Sequence, residues 1–258
     1  VLQDVKLFNQ FAREVAMVPL SQLEFERAAT DVVTIEVTKP NVRAAVNFFV
    51  KIRMSRGGHG IGYVVPTTRL RRGINEQVSA WLNAVDGLAD VHSRLSLVEI
   101  LSEDATKVIP RYDSQTTLFY SDPPYLHSTR VTTHEYGANE MSEREHAMLL
   151  GVYSKSTSPV LTESQWNDLS GSQSYSEYAS VSKHKFRGLM MLSGYKSDLY
   201  SVYAKKNGWT CLTREIPNSA SSKAVKPKMT ECLWVNFEVK DQDWITAVKG
   251  CGEVIREK

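Results

Sequence analysis

Residues 116–125 read Thr116-Thr117-Leu118-Phe119-Tyr120-Ser121-Asp122-Pro123-Pro124-Tyr125. The first five are β-branched, apolar or aromatic, the composition of a strand, and two prolines stop it because neither has an N–H to give to a ladder. Upstream, residues 96–101 (SLVEIL) read as a buried strand and residues 103–111 as a short helix. Strand, helix, strand with prolines at the second strand's end is the grammar of a parallel α/β sheet. Open parallel sheets bind ligands beyond the carboxyl ends of their strands, so Asp122-Pro123-Pro124-Tyr125 falls where a site belongs. Asp122 offers a carboxylate acceptor, and the proline pair holds the chain out of helix with the Pro123 carbonyl free as a second. Tyr125 adds an aromatic face. Two acceptors beside an aromatic plate suit a planar ring bearing an amino group, whose lone pair they draw out of conjugation and aim at an electrophile.

Working outward, residues 7–18 place Leu7, Phe8, Phe11, Val15 and Val18 on one helical stripe, and residues 41–54 repeat the pattern with Val42, Val46, Phe49 and Val50. The cluster Arg56-Gly57-Gly58-His59-Gly60-Ile61-Gly62 ends regular structure, and Tyr63-Val64-Val65 reads as a short strand after it. Residues 77–91 predict one helix. Residues 142–153 predict another, opened by the capping pattern Ser142-Glu143-Arg144-Glu145. Residues 154–185 are rich in Ser and weakly periodic, and read as an inserted excursion that Trp166, Tyr175 and Tyr178 keep from disorder. A buried strand at 188–193, a helix at 197–206, and strands at 209–216 and 231–237 joined as a hairpin by a basic loop complete the chain.

The 258 residues, 42% of them apolar, suffice for a sizeable core. No apolar run approaches the roughly eighteen residues of a membrane span, and Val1-Leu2-Gln3-Asp4 lacks the regions of a signal peptide, so a cytoplasmic protein with no membrane partner is the expectation. Cys211, Cys232 and Cys251 show no Cys-x-x-Cys spacing, and His127 and His134 no ligand spacing, so no metal site is expected. The net charge of +2 hides an uneven distribution: residues 37–75 contain no Asp or Glu but hold Lys39, Arg43, Lys51, Arg53, Arg56, Arg69, Arg71 and Arg72. At average usage that window would carry roughly four acids. Lys223, Lys226 and Lys228 form a second acid-free basic stretch. Both suit a polyanionic partner.

The run Leu118 to Tyr125 resembles the catalytic motif of the S-adenosylmethionine-dependent DNA adenine N6-methyltransferases of the Dam type. Val1-Leu2-Gln3-Asp4 and the helix after it resemble that family's second strand, whose terminal acid binds the cofactor's ribose hydroxyls. Arg94-Leu95-Ser96-Leu97-Val98-Glu99-Ile100-Leu101-Ser102-Glu103-Asp104-Ala105 resembles the next cofactor-binding strand, with Asp104 near the cofactor adenine and Glu103 a competing acid. Leu192-Ser193-Gly194-Tyr195 and Thr230-Glu231-Cys232-Leu233-Trp234 resemble its late strands. The resemblance implies a Rossmann-like methyltransferase sheet over residues 1–19 and 93–258, with a mostly helical target-recognition subdomain inserted at 20–92.

It further implies transfer of a methyl group from S-adenosylmethionine to the N6 amino group of an adenine flipped out of double-stranded DNA. Asp122, Pro123 and Tyr125 would be catalytic; Asp4, Asp104 and Asp122 would bind cofactor; and Arg53, Arg56, His59, Arg69, Arg71, Arg72, Lys223 and Lys226 would contact DNA. Tyr195 and Trp234 read as core aromatics. The family's glycine-rich first motif should precede Asp4 and does not. Either a segment of about one βα unit stands ahead of Val1, which the abrupt start favours, or the protein departs from the family at its cofactor site. Two alternatives follow: an inactive or split DNA-binding relative, and an enzyme acting on RNA.

Overall fold

The computed structural model describes residues 1–31, 39–65, 67–130, 139–217, 228–239 and 255–257. It forms two units, Val1–Leu101 and Ser102–Lys258. Residues 1–19 and 93–101, expected with the catalytic domain, thus share the first unit with residues 20–92. No helix among the described residues is long and apolar enough to cross a membrane.

The first unit consists of helices α1 (Val5–Ala16), α2 (Gln22–Thr30) and α3 (Val42–Arg53), a two-stranded hairpin of β1 (Leu70–Arg71) and β2 (Ile74–Asn75), and helices α4 (Glu76–Asp86) and α5 (Leu88–Leu95). The stripe read from residues 7–18 explains its core: Phe8, Phe11 and Val15 of α1 are buried with Phe25, Val46, Val50, Met54, Trp81 and Leu88. Burying each such side chain contributes roughly 2 kcal/mol. Asp4 and Asn41 cap α1 and α3 by accepting from the backbone N–H groups of Leu7 and Ala44. The helix expected over 77–91 is instead two, broken at Gly87, a residue that helices disfavour.

Three expected strands do not form. Residues 63–65 make only a single bridge among the described residues, Tyr63 with Ser55. Residues 1–4 are a turn tied to α5: Gln3 donates to the Leu95 and Val98 carbonyls, and the His92 ring meets the Leu2 carbonyl at 2.6 Å while stacking on Phe8. Residues 96–101 are irregular, with Leu97 82% and Ile100 64% exposed. The apolar run is strand-like in composition, but no described strand pairs with it, and a strand without ladder partners is not stable.

The second unit contains α6 (Ala105–Tyr112), β3 (Leu118–Ser121), α7 (Glu143–Val152), α8 (Glu163–Asn167), α9 (Tyr175–Val181), β4 (Leu189–Tyr195), α10 (Asp198–Asn207), β5 (Thr210–Pro217), β6 (Lys228–Val235) and β7 (Ile255–Glu257). The strands form one mixed sheet in the order β3-β4-β6-β5-β7. Only β3 and β4 are parallel, with Leu118 opposite Leu189 and Ser121 opposite Leu192; the expected β5–β6 hairpin forms and is antiparallel. The unit is therefore mixed α/β rather than purely parallel.

Met190 and Leu192 of β4 and Cys232 and Trp234 of β6 point to a core shared with Leu149, Leu150, Tyr200 and Tyr203. Gly194 lets Trp234 lie against the strand: a Cβ there would meet the indole at 3.2 Å. Residues 154–185 are part of this core. Trp166 and Tyr178 are buried and stack at 4.6 Å, and the Tyr178 hydroxyl accepts from Val160 and Leu161 N–H. Capping chemistry orders part of this stretch, in the same pattern that opens α7. Ser142, Thr162 and Ser174 each close a capping box, with Glu145, Gln165 and Glu177 respectively.

The amino end of β4 is fastened from two sides. The Asp113 carboxylate, fully buried, accepts from the N–H groups of Arg187 and Gly188, while the Asn236 side-chain amide accepts from Met190 N–H and donates to the Gly188 carbonyl. Asp113→Ala strips buried donors of their partner. Urea unfolding is expected to show a loss of about 3 kcal/mol with an unchanged denaturant slope; a loss below 0.5 kcal/mol would show the clasp to be dispensable.

Candidate functional site

At the carboxyl ends of the two parallel strands, Ser193 of β4 donates to Asp122 Oδ1 at 2.6 Å and lies 3.3 Å from the Ser121 carbonyl. Asp122 is exposed, Pro123 is buried beneath it, and Leu126 anchors the chain beyond the motif in the core. Prolines at 123 and 124 end β3, so the motif leaves the sheet as an extended turn. Tyr125 is half-buried: its hydroxyl donates to Glu231 Oε1 at 2.9 Å, and its ring stands edge-on to Tyr195 at 4.8 Å and 79°. Tyr195 and Glu231 are themselves opposite each other across β4 and β6. Burial, with the Glu231 carboxylate adding to it, holds the Tyr125 phenol far above its ordinary value, so its hydroxyl remains a donor at neutral pH.

Asp122 and Pro123 open on a cleft of about 760 Å³ whose lining also includes Asp104 and Lys107 at the start of α6, Met148 and Leu149 of α7, and Gln173, Glu177 and Val181. The volume lies within the range of small-molecule sites. Asp104 and Asp122, two of the three expected cofactor acids, therefore meet in one cavity. Asp104 also caps α6 by accepting from Thr106 N–H at 2.7 Å. Its competitor Glu103 is held by two hydrogen bonds from Arg111, which lower its carboxyl pKa, and it does not line the cleft. Asp4, the third expected acid, belongs to the first unit, where it caps α1 and ends no strand.

The residues suit S-adenosylmethionine in kind. Two carboxylates complement its cationic sulfonium and amino groups, Lys107 offers a counter-charge for its carboxylate, and Met148, Leu149 and Val181 form an apolar wall for a planar ring. The glycine cluster belongs to the first unit, and among the described residues no glycine lines this cleft. Residues 56–62 form a loop after α3 in the first unit, closed by hydrogen bonds from Arg56 N–H to the Gly62 carbonyl and from Gly60 N–H to Ser55 Oγ.

The basic residues expected to meet nucleic acid fall in two places. Arg53, Arg56 and His59 are exposed at the end of α3 and on the glycine loop, and Arg69, Arg71 and Arg72 are exposed on or beside the hairpin. Arg53, Arg56, Arg71 and Arg72 make no ion pair among the described residues, whereas Arg69 lies 3.4 Å from Glu76. Arg72 has φ 55°, alone among described non-glycine residues in the left-handed region, and Gly73 follows at φ 79°. Hairpin turns of this kind favour Asn or Gly at that first position, so a bulky arginine there is held against a local preference. Lys223 and Lys226 lie outside the described residues, as does His134; His127 is exposed.

Five contributors to the site escape the reading of residues in isolation. Ser193 and Tyr195 end the strand parallel to β3, so the carboxyl-end rule that singled out Asp122 applies to them equally. Tyr195, expected as a core aromatic, is half-buried against Tyr125, while Trp234 is a core residue as expected. Glu231 was detectable as the one acid in residues 228–235, and Gln173 and Glu177 were hidden by the apparent irregularity of residues 154–185.

Beneath the motif, His146 of α7 is fully buried, its Nδ1 2.9 Å from the Tyr200 hydroxyl. Burial lowers its pKa to about 4, offset only in part by the Glu145 carboxylate and the Pro124 carbonyl. The unfolded chain, with its histidine near 6.5, takes up the proton first, so this contribution to stability is complete above about pH 6.5 and is lost as pH falls toward 4. It amounts to roughly 3 kcal/mol. Urea unfolding between pH 7.5 and 4.5 is expected to show a steeper decline for the wild type than for His146→Gln; parallel declines would contradict it. No family model and no curated protein matches the sequence.

Proposed function

We propose that the chain is an S-adenosylmethionine-dependent methyltransferase acting on the exocyclic amino group of adenine in double-stranded DNA, with a Rossmann-like arrangement of its second unit. The observation that carries this reading is the Asp122 carboxylate at the carboxyl ends of two parallel strands, oriented by Ser193, flanked by the Tyr125 ring and open to a cleft that Asp104 shares. A carboxylate and a carbonyl acceptor beside an aromatic ring suit a planar amine.

The roles follow from the geometry. With Oδ1 engaged by Ser193, Asp122 retains Oδ2 for an amino proton, and the Pro123 carbonyl supplies the second acceptor. Two acceptors pull the amino nitrogen away from conjugation with its ring, and Tyr125 stacks on that ring. S-adenosylmethionine, when bound, supplies a methyl group on a sulfonium, an excellent leaving group. No strong base is needed, because the amino nitrogen becomes acidic once alkylated and its proton passes to Asp122 or water. Catalysis is then chiefly positioning.

The first unit supplies phosphate contacts through Arg53, Arg56, His59, Arg71 and Arg72, with Arg69 divided between Glu76 and the polyanion. Unstacking a base costs roughly a few kcal/mol, which these contacts help to offset. One observation favours a second reading, a relative that binds DNA without catalysis: no glycine is among the described residues that line the cleft. RNA as acceptor is the variant that keeps the chemistry and changes the polymer.

Transfer of a labelled methyl group from S-adenosylmethionine to duplex DNA tests the proposal. Asp122→Ala is expected to reduce it at least a thousandfold and Tyr125→Ala about a hundredfold; a fully active Asp122→Ala protein would overturn the assignment. In DNA binding, Arg71→Ala with Arg72→Ala is expected to lower affinity uniformly across sequences and to flatten the plot of log affinity against log salt by about 2. An unchanged slope would remove the hairpin from the interface.

A further inference from the structure

Asp122 and Tyr125 are both held by side chains from outside their own motif. Pro123 and Pro124 stiffen the backbone between them, but proline rigidity sets neither the torsion of the Asp122 carboxylate nor that of the Tyr125 ring. Ser193 orients the first. The second is held by the hydroxyl bond to Glu231 at 2.9 Å, by a side-chain hydrogen bond with Ser193, and by the edge-on contact with Tyr195 at 4.8 Å.

Glu231 is an unusual residue for its place. It occupies an interior position of β6, next to Cys232, and it is half-buried. A carboxylate drawn partly out of water is unfavourable unless its partner matters, and a tyrosine hydroxyl could be satisfied by solvent. The ladder explains the fit: Glu231 stands opposite Tyr195 on β4, so the strand pairing that positions one clamp also positions the other.

We infer that Glu231 is a positioning residue for methyl transfer, holding the Tyr125 ring in the orientation that receives the flipped base. This rests on the methyl-transfer reading above. A ring already fixed loses little freedom when a base stacks on it, whereas a ring free to rotate must be ordered by the substrate itself. Glu231 touches neither base nor cofactor; its effect passes through the Tyr125 hydroxyl.

The test is a double-mutant cycle on the full chain, read as methyl transfer to duplex DNA, with S-adenosylmethionine binding and thermal unfolding measured on each variant. Glu231→Ala and Tyr125→Phe are each expected to lower kcat/KM for DNA about tenfold with cofactor affinity unchanged. The double variant is expected to match Tyr125→Phe, because each substitution breaks the same bond between Tyr125 and Glu231. Glu231→Gln, whose amide oxygen can accept the same bond, is expected to retain most activity. A hundredfold loss in the double variant, or wild-type activity in Glu231→Ala, would overturn the inference while leaving the proposed function standing. Absence of transfer by the wild type would overturn both. Should Glu231→Ala fail to fold, Tyr125→Phe and Glu231→Gln decide: full activity in the first, or equal loss in both, would contradict the role.

Discussion

The parallel pairing of β3 with β4 is the constraint on which the chemistry of the second unit rests. It is short, four residue pairs from Leu118 with Leu189 to Ser121 with Leu192, yet it sets Asp122 beside Ser193 and carries Tyr195 to the same end. Because side chains alternate along a strand, a slip of one residue would turn Ser193 to the opposite face and release Asp122. The register is held at both ends. Asp113 and Asn236 grip residues 187–190 at the amino end of β4, and Ser193 meets Asp122 and the Ser121 carbonyl at the carboxyl end. Buried apolar residues give the sheet its stability, and these polar contacts select its register.

A second ordering runs through the charges. Acids gather in the cleft, with Asp104, Asp122, Glu145 and Glu177 on its walls, while Arg53, Arg56, Arg71 and Arg72 of the first unit, which make no ion pair among the described residues, are exposed. A net charge of +2 is the sum of these two opposed surfaces rather than the absence of either. One suits a cationic small molecule and the other a polyanion, and each would repel the other's ligand. A left-handed backbone at a non-glycine residue is unfavourable by roughly 1 kcal/mol, so the fold holds Arg72 there against its local preference.

Much of the fold is legible in the residues, and the misreadings have physical causes. The stripes of α1 and α3, the proline-terminated strand and the β5–β6 hairpin follow from periodicity and punctuation, which are local. Residues 96–101 show where local composition fails: SLVEIL reads as a strand, but a strand exists only through partners, and sequence alone does not reveal whether they are present. Residues 154–185 fail for the opposite reason. Thr162-Glu163-Ser164-Gln165 and Ser174-Tyr175-Ser176-Glu177 carry the same capping pattern that revealed α7, and serine abundance masked it. Within the site, Asp122 and Asp104 were identifiable, whereas Ser193 and Glu231 reach it through strand pairing across more than seventy residues of chain.

The central claim is that Asp122, Pro123 and Tyr125 form a receptor for a planar amine whose nitrogen accepts a methyl group. The most direct measurement is the identity of the modified nucleoside. DNA incubated with the protein and S-adenosylmethionine, digested to nucleosides and resolved by chromatography with mass spectrometry, is predicted to contain N6-methyldeoxyadenosine. No methylated nucleoside, or a methyl group on a ring carbon, where two acceptors for an amino group have no role, would contradict the account.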